Sequence, residues 1–122
     1  KEIIAKYNKA FSEVGSVTTP YAVKGLKTAF HVYVVKIDFE KVGKSRAQVM
    51  KELRGVNIGT QVLYIPVHLQ PYYKSTFGYK EGDMPVSERY YTQALCLPLY
   101  PAMTDRDVEY VIKTLRQVLE NN

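Results

Sequence analysis

Apolar residues Ile3, Ile4, Tyr7, Phe11 and Val14 recur at intervals of three and four, which lines one face of a helix and leaves Lys6, Lys9 and Glu13 off it. Gly15 is a natural stop. No capping residue stands ahead of this helix, so it reads as cut from something longer. Residues 16 to 25, with two threonines and Pro20, show no period and read as a connector. The run TAFHVYVVKIDF, residues 28 to 39, is rich in β-branched and aromatic residues with both alternating faces apolar, the pattern of an internal strand. Ser45 and Gln48 form a capping box ahead of Ala47, Val49, Met50 and Leu53, a helix that Gly55 can end. Gly59 to Ile65 alternates as a second strand and stops where Pro66 removes a ladder donor. From Pro66 to Pro85 no steady period is visible, and the aromatic residues there predict an ordered loop with a function. Asp83 and Pro85 open a short helix through Tyr91, and Gln93 to Leu99 reads as a third strand. The last helix is the plainest. Thr104 caps it, Asp105, Asp107 and Glu109 suit the positive end of its dipole, and Val108, Val111, Ile112, Leu115, Val118 and Leu119 form its apolar stripe.

That order of elements predicts an α+β fold, a small, mostly antiparallel sheet of about three strands packed with helices on one side. The length of 122 residues suits one domain with one core, and 46% apolar with 24% charged residues excludes wholesale disorder. The longest uncharged stretch, residues 55 to 73, contains Asn57, Thr60, Gln61, His68, Gln70 and two prolines, so it is not a membrane span. Charges interrupt the N-terminal residues, which argues against a signal peptide. Cys96 is the single cysteine, so neither an internal disulfide nor a multi-cysteine metal site can form, and the cytoplasm is the expected compartment. A net charge of +5 would suit an anionic partner, but acidic residues interleave with the basic ones along the whole chain. Such a pattern is first of all a solvated mixed-charge surface.

Candidate chemistry is sparse. His31 falls inside the expected core strand, where a hydrogen-bonded structural imidazole is the ordinary case. His68 lies beyond a strand end among Tyr64, Gln70, Tyr72 and Tyr73, the kind of segment that carries polar groups to a ligand; a packed aromatic loop is the plainer reading. No second histidine or carboxylate sits at helical spacing from it, which disfavours a metal site. The apolar run ALCLPL around Cys96 favours an inert thiol, Lys36 at a strand end favours an exposed amine, and no glycine-rich phosphate cradle occurs. Two classes stay open on residues alone: a ligand-contacting domain of a larger enzyme, or a basic, aromatic nucleic-acid-binding module. The second lacks any RNP-like or GXXG segment.

The motifs IGTQV, YIPVHLQPYY and LPLYPAMTD, within residues 57 to 115, resemble the C-terminal part of sugar aminotransferases of the DegT/DnrJ/EryC1/StrS family, and AFHVYVVKIDF and KSRAQVMKELR extend the likeness over nearly the whole chain. The resemblance implies the C-terminal small domain of a fold-type I aminotransferase, residues 1 to 122, whose large domain holds pyridoxal phosphate through a Schiff-base lysine. In the family that lysine commonly follows a histidine by three residues; here Val34 follows His31 and Pro71 follows His68 at that spacing. The resemblance therefore implies no catalytic or cofactor-binding residue and no transamination by this stretch alone. In the complete enzyme it implies amino transfer, typically from glutamate, to a UDP-linked 4-keto-6-deoxy sugar of the kind used on the route to pseudaminic acid. Substrate contact carries over to Tyr64, His68, Gln70 and Tyr72. Leu63 stands where close relatives often have histidine, so that side chain's contact is lost. A homodimer is implied, with neither nucleic acid nor membrane as partner, and the uncovered apolar surface predicts self-association.

Overall fold

A computed structural model describes residues 2 to 120 apart from 22, 28 and 30. Helix α1, Glu2–Phe11, leads into a two-residue strand β1, Val17–Thr18, which pairs antiparallel with β2, Tyr33–Ile37. Two helices follow, α2, Phe39–Val42, and α3, Arg46–Arg54. A single 3-10 turn, Val67–Leu69, precedes α4, Pro71–Phe77, and α5, Pro85–Gln93. Strand β3, Ala94–Leu97, then joins the other edge of β2, and α6, Asp105–Glu120, closes the chain. The result is the expected α+β architecture, a three-stranded antiparallel sheet in the order β1-β2-β3 with helices packed against it.

The core follows from side-chain periodicity. Tyr33, Val35 and Ile37 alternate onto one face of β2 and are fully buried, where they meet Tyr7 and Phe11 of α1, Val49 and Leu53 of α3, and Val108, Val111 and Leu115 of α6. Two buried phenols keep their hydroxyls satisfied: Tyr7 donates to the Pro98 carbonyl at 2.7 Å and Tyr33 to Asn8 Oδ1 at 2.6 Å. Their rings lie 4.8 Å apart, and burial pushes both phenol pKa values well up. Helix ends are chemically explicit. Ser45 Oγ accepts from the Gln48 amide at 3.1 Å, while the Gln48 side chain turns to Glu52, so only one arm of the expected box is made. The reciprocal box appears at α6 instead: Asp107 N–H donates to Thr104 Oγ1 at 3.1 Å, and Thr104 N–H to the Asp107 carboxylate at 2.9 Å.

Several sequence expectations are corrected here. Gly59 to Ile65 is not a strand; its pairing is one isolated bridge, in which Gln61 and Cys96 exchange backbone bonds of 3.2 and 2.9 Å. Val62, Tyr64 and Ile65 are exposed, so the apolar alternation there has no second layer to bury it. The third strand comes from β1, inside the segment read as a connector, because two residues are too short to show a period. The long strand shrinks to Tyr33–Ile37; of its first residues, 28 and 30 lie outside the described ones, and His31 precedes β2 and is exposed. The supposed loop after Pro66 contains α4, started by Pro71 and ended by Gly78 at φ 73°, a conformation that favours glycine.

Leu115 is fully buried between the sheet and the other helices. Leu115→Ala is expected to lower stability by about 2–5 kcal/mol in urea titration. Tyr33→Phe, which frees the Asn8 carbonyl, should cost about 1 kcal/mol.

Candidate functional site

The segment singled out by sequence begins where β3 loses its neighbour. Tyr64 is 94% exposed, ahead of a buried Pro66. Gln70, at the start of α4, donates its side-chain amide to the Ile65 carbonyl at 3.0 Å, which folds the 3-10 turn back on itself. Tyr72 lies exposed on the first turn of α4, its ring edge-on to Tyr73 at 5.2 Å. From there the rings continue: Tyr73 stacks on Phe77 at 5.9 Å, Phe77 leans on Tyr79 at 6.2 Å, and Tyr79 meets the His68 imidazole edge-on at 6.3 Å.

His68 alone of the four predicted residues is turned inward, at 7% exposure. Its Nε2 lies 3.1 Å from Glu88 Oε2. The same carboxylate accepts the Gly82 amide at Oε1, 2.8 Å, and the Met84 amide at Oε2, 3.0 Å. Its pKa is held below the ordinary carboxylate value, so at neutral pH Glu88 is ionised and can only accept, which assigns the proton in the third bond to His68 Nε2. The structure thus brings His68, Gln70 and Tyr72 into one unit through the 3-10 turn and α4, and leaves Tyr64 extended at its margin. Glu88 escaped sequence reasoning. Its one signal was an acidic residue in the first turn of a helix opened by Pro85.

A second concavity lies on the far face of the sheet, lined by Thr18, Tyr21, Val34, Lys36 and Tyr90 among others. It contains no histidine or carboxylate. Cys96 is buried, and burial pushes its thiol pKa up, away from a reactive thiolate. Among the described residues no three His, Cys, Asp or Glu gather as a metal site, and no helix is long and apolar enough to cross a membrane.

The motif-bearing stretches identified by sequence now sit on a fold that can be compared with known proteins. The DegT/DnrJ/EryC1/StrS aminotransferase family model matches residues 1–116. The chain belongs to this family. It is 41% identical over 121 residues to the spore coat polysaccharide biosynthesis protein SpsC of Bacillus subtilis, covering 98% of this chain and 31% of that protein. The aminotransferase TlmJ from Streptoalloteichus hindustanus superposes with a TM-score of 0.80 at 31% identity, over 97% of this chain and 30% of TlmJ. Helicobacter pylori PseC, an aminotransferase of pseudaminic acid biosynthesis, superposes with a TM-score of 0.85 over 99% of this chain and 32% of its own, but at 17% identity it attests the fold alone. The chain therefore spans about a third of the length of the relatives it matches.

Members of this family work with pyridoxal phosphate, and one structural neighbour has been solved in both its PLP and PMP forms. The described residues of this family member do not fit that group by themselves. A Schiff base needs a lysine amine that can shed its proton beside a phosphate cradle. Lys6 is held by Asp105 at 2.5 Å, a contact that raises its pKa, and Lys44 is engaged by Glu52 at 3.1 Å and by the Val118 carbonyl at 2.7 Å. Lys36 lines the far-face groove, where the lining residues offer no carboxylate or histidine.

The Gly82 amide, then Met84 and His68, hold the Glu88 carboxyl below its ordinary value of 4.5, with desolvation opposing them. A carboxyl lowered in the folded state stabilises fully above that ordinary value and loses its contribution as pH falls through the lowered one. Acidification below 4.5 should therefore release the loop that ends at Met84, seen as movement of the Gly82 and Met84 amide NMR signals. Glu88→Gln should abolish that acid-side step.

Proposed function

We propose that this chain is the C-terminal small domain of a pyridoxal-phosphate-dependent nucleotide-sugar aminotransferase. In the complete, cytoplasmic protein it would take part in moving an amino group, from glutamate, to the 4-keto carbon of a UDP-linked 6-deoxy sugar. What carries the reading is the pairing of family membership over residues 1–116 with a projecting polar and aromatic segment, Tyr64 to Tyr73. The polysaccharide role in the name of SpsC supports a sugar substrate, and the PseC fold is compatible with a route to pseudaminic acid.

On this reading the chain binds and orients and does no covalent chemistry. The faces of Tyr64 and Tyr72 are free to cover a uracil or sugar ring, each hydroxyl within reach of a phosphate or sugar oxygen. Gln70 and His68 complete the substrate surface; in the geometry seen here both are engaged within the segment, so they present it, and His68 meets a ligand directly only when its bond to Glu88 opens. The cofactor is held by residues outside this chain, where it supplies the electron sink. The full-length protein works as a homodimer, and this chain produced alone neither transaminates nor holds the cofactor; it self-associates through its exposed apolar side chains.

In the full-length protein, Tyr64→Ala and Tyr72→Ala are expected to raise KM for a UDP-linked 4-keto sugar about three- to tenfold each, because losing a ring contact costs about 0.5–1.5 kcal/mol. Unchanged KM in both variants would remove the segment from the site. A mobility shift with single-stranded RNA that weakens steeply with salt would instead favour a nucleic-acid-binding module.

A further inference from the structure

From Gly59 to Gln93 no hydrophobic side chain joins the core. Helix α4 has no buried residue at all and rests against the 3-10 turn. A helix this short gains too little from its own backbone bonds to keep a fixed place. Helix α5 is anchored on β2 and by Arg46, which donates to the Tyr91 carbonyl, and Gln61 is bridged to Cys96. Between those two anchors the only buried side chains are Pro66 and His68, so something besides apolar burial must hold that stretch.

We propose that Glu88 is the positioning residue that locks the segment from Tyr64 to Met84 in one conformation. Its carboxylate joins the two ends of the excursion: Oε2 takes the His68 Nε2–H bond from the beginning, and Oε1 and Oε2 take the Gly82 and Met84 amides from the end. The bond to Met84 by itself would be an ordinary helix cap on α5. The bonds to His68 and Gly82 reach outside that helix, and they make the carboxylate a clasp. His68 then carries the constraint onward, because its imidazole is the footing for Tyr79, against which Phe77 leans, with Tyr73 stacked on Phe77 and Tyr72 edge-on to Tyr73. Glu88 touches no ligand in this account. It acts through His68, on α4 and on the turn that Gln70 closes.

The function of the clasp, presenting Tyr64 and Tyr72 to a nucleotide-sugar, rests on the proposed aminotransferase reading; the clasp itself does not. The test uses the full-length protein with Glu88→Gln, His68→Ala and His68→Gln, and two measurements. Amide hydrogen exchange should quicken tenfold or more over residues 72 to 84 in Glu88→Gln and His68→Ala while α1 and α6 keep wild-type protection. His68→Gln, which restores an N–H donor towards Glu88, should recover much of the lost protection. In steady-state kinetics with a UDP-linked 4-keto sugar, Glu88→Gln should raise KM about tenfold with kcat within about twofold, the signature of lost binding geometry. Wild-type exchange in both Glu88→Gln and His68→Ala overturns the clasp. Faster exchange with unchanged KM overturns its role in presenting the segment. If the wild-type protein shows no turnover of the sugar but the exchange pattern appears, the clasp stands and the substrate reading fails. Should Glu88→Gln not fold, hydrogen exchange in His68→Ala decides the clasp, and KM in Glu88→Ala, a residue that touches no ligand, decides its role in presenting the segment.

Discussion

The governing constraint in this molecule is that its hydrophobic core is assembled from the stretch up to Ile58 and the stretch from Ala94 onward. Between Ile58 and Ala94 Pro66 is the one buried apolar side chain, and no residue there joins the hydrophobic core cluster. Helices α1 and α6, at opposite ends of the sequence, pack together and are tied at the surface by Lys6 and Asp105. Apolar burial, at roughly 25 cal/mol per Å2, is the main source of stability, so the core fixes the sheet, α1, α3 and α6 and gives little of that support to residues 59 to 93. A single intramolecular hydrogen bond contributes only about 0.5–1.5 kcal/mol net. A segment held by polar contacts therefore needs several of them at one point, which is what converges on Glu88.

The same constraint explains why so many rings stay in solvent. Tyr72, Tyr73, Phe77 and Tyr79 are all exposed, yet each has a ring neighbour within the segment. Edge-on and offset contacts of this kind are worth about 0.5–1.5 kcal/mol each, enough to order neighbouring side chains once the backbone is held, though too little to replace a core. A contiguous aromatic surface on a helix with nothing beneath it is expensive to keep unless something is laid upon it. That is the physical content behind assigning ligand contact to this segment rather than to the far-face groove, where the aromatic side chains Tyr21 and Tyr90 come from separate elements.

Legibility in the sequence tracks burial. The stripe Val108, Val111, Leu115 and Leu119 announces α6, and Val49 and Leu53 announce α3, because a buried face imposes its period on the residues. The centre of β2 is readable for the same reason. Where burial stops, the code stops. Helix α4 faces no core and so shows no apolar stripe, although Pro71 at its start and Gly78 at its end were visible punctuation. Gly59 to Ile65 reads like a strand and is not one, since among the described residues β3 finds only Gln61 on that side. Residue types and family motifs single out the aromatic segment after Ile65, but the partnership of His68 with Glu88 joins residues twenty positions apart across a turn and a helix. No local pattern encodes such a pair.

Family membership and site geometry answer different questions about the chain. Membership says what kind of chemistry the relatives perform; the side chains say what this stretch can contribute to it. Its cysteine is buried with a raised pKa, and Lys6 and Lys44 are engaged by carboxylates. What remains available at the surface is shape, ring faces and hydrogen-bonding groups on a segment whose two ends meet at one carboxylate. Substrate held to within a fraction of an ångström contributes to catalysis as surely as a reacting group does, since effective concentration depends on orientation. The contribution of this chain to an aminotransferase would then be measured by how rigidly it presents Tyr64 and Tyr72, and that rigidity has to be supplied by polar bonds because the core cannot reach them.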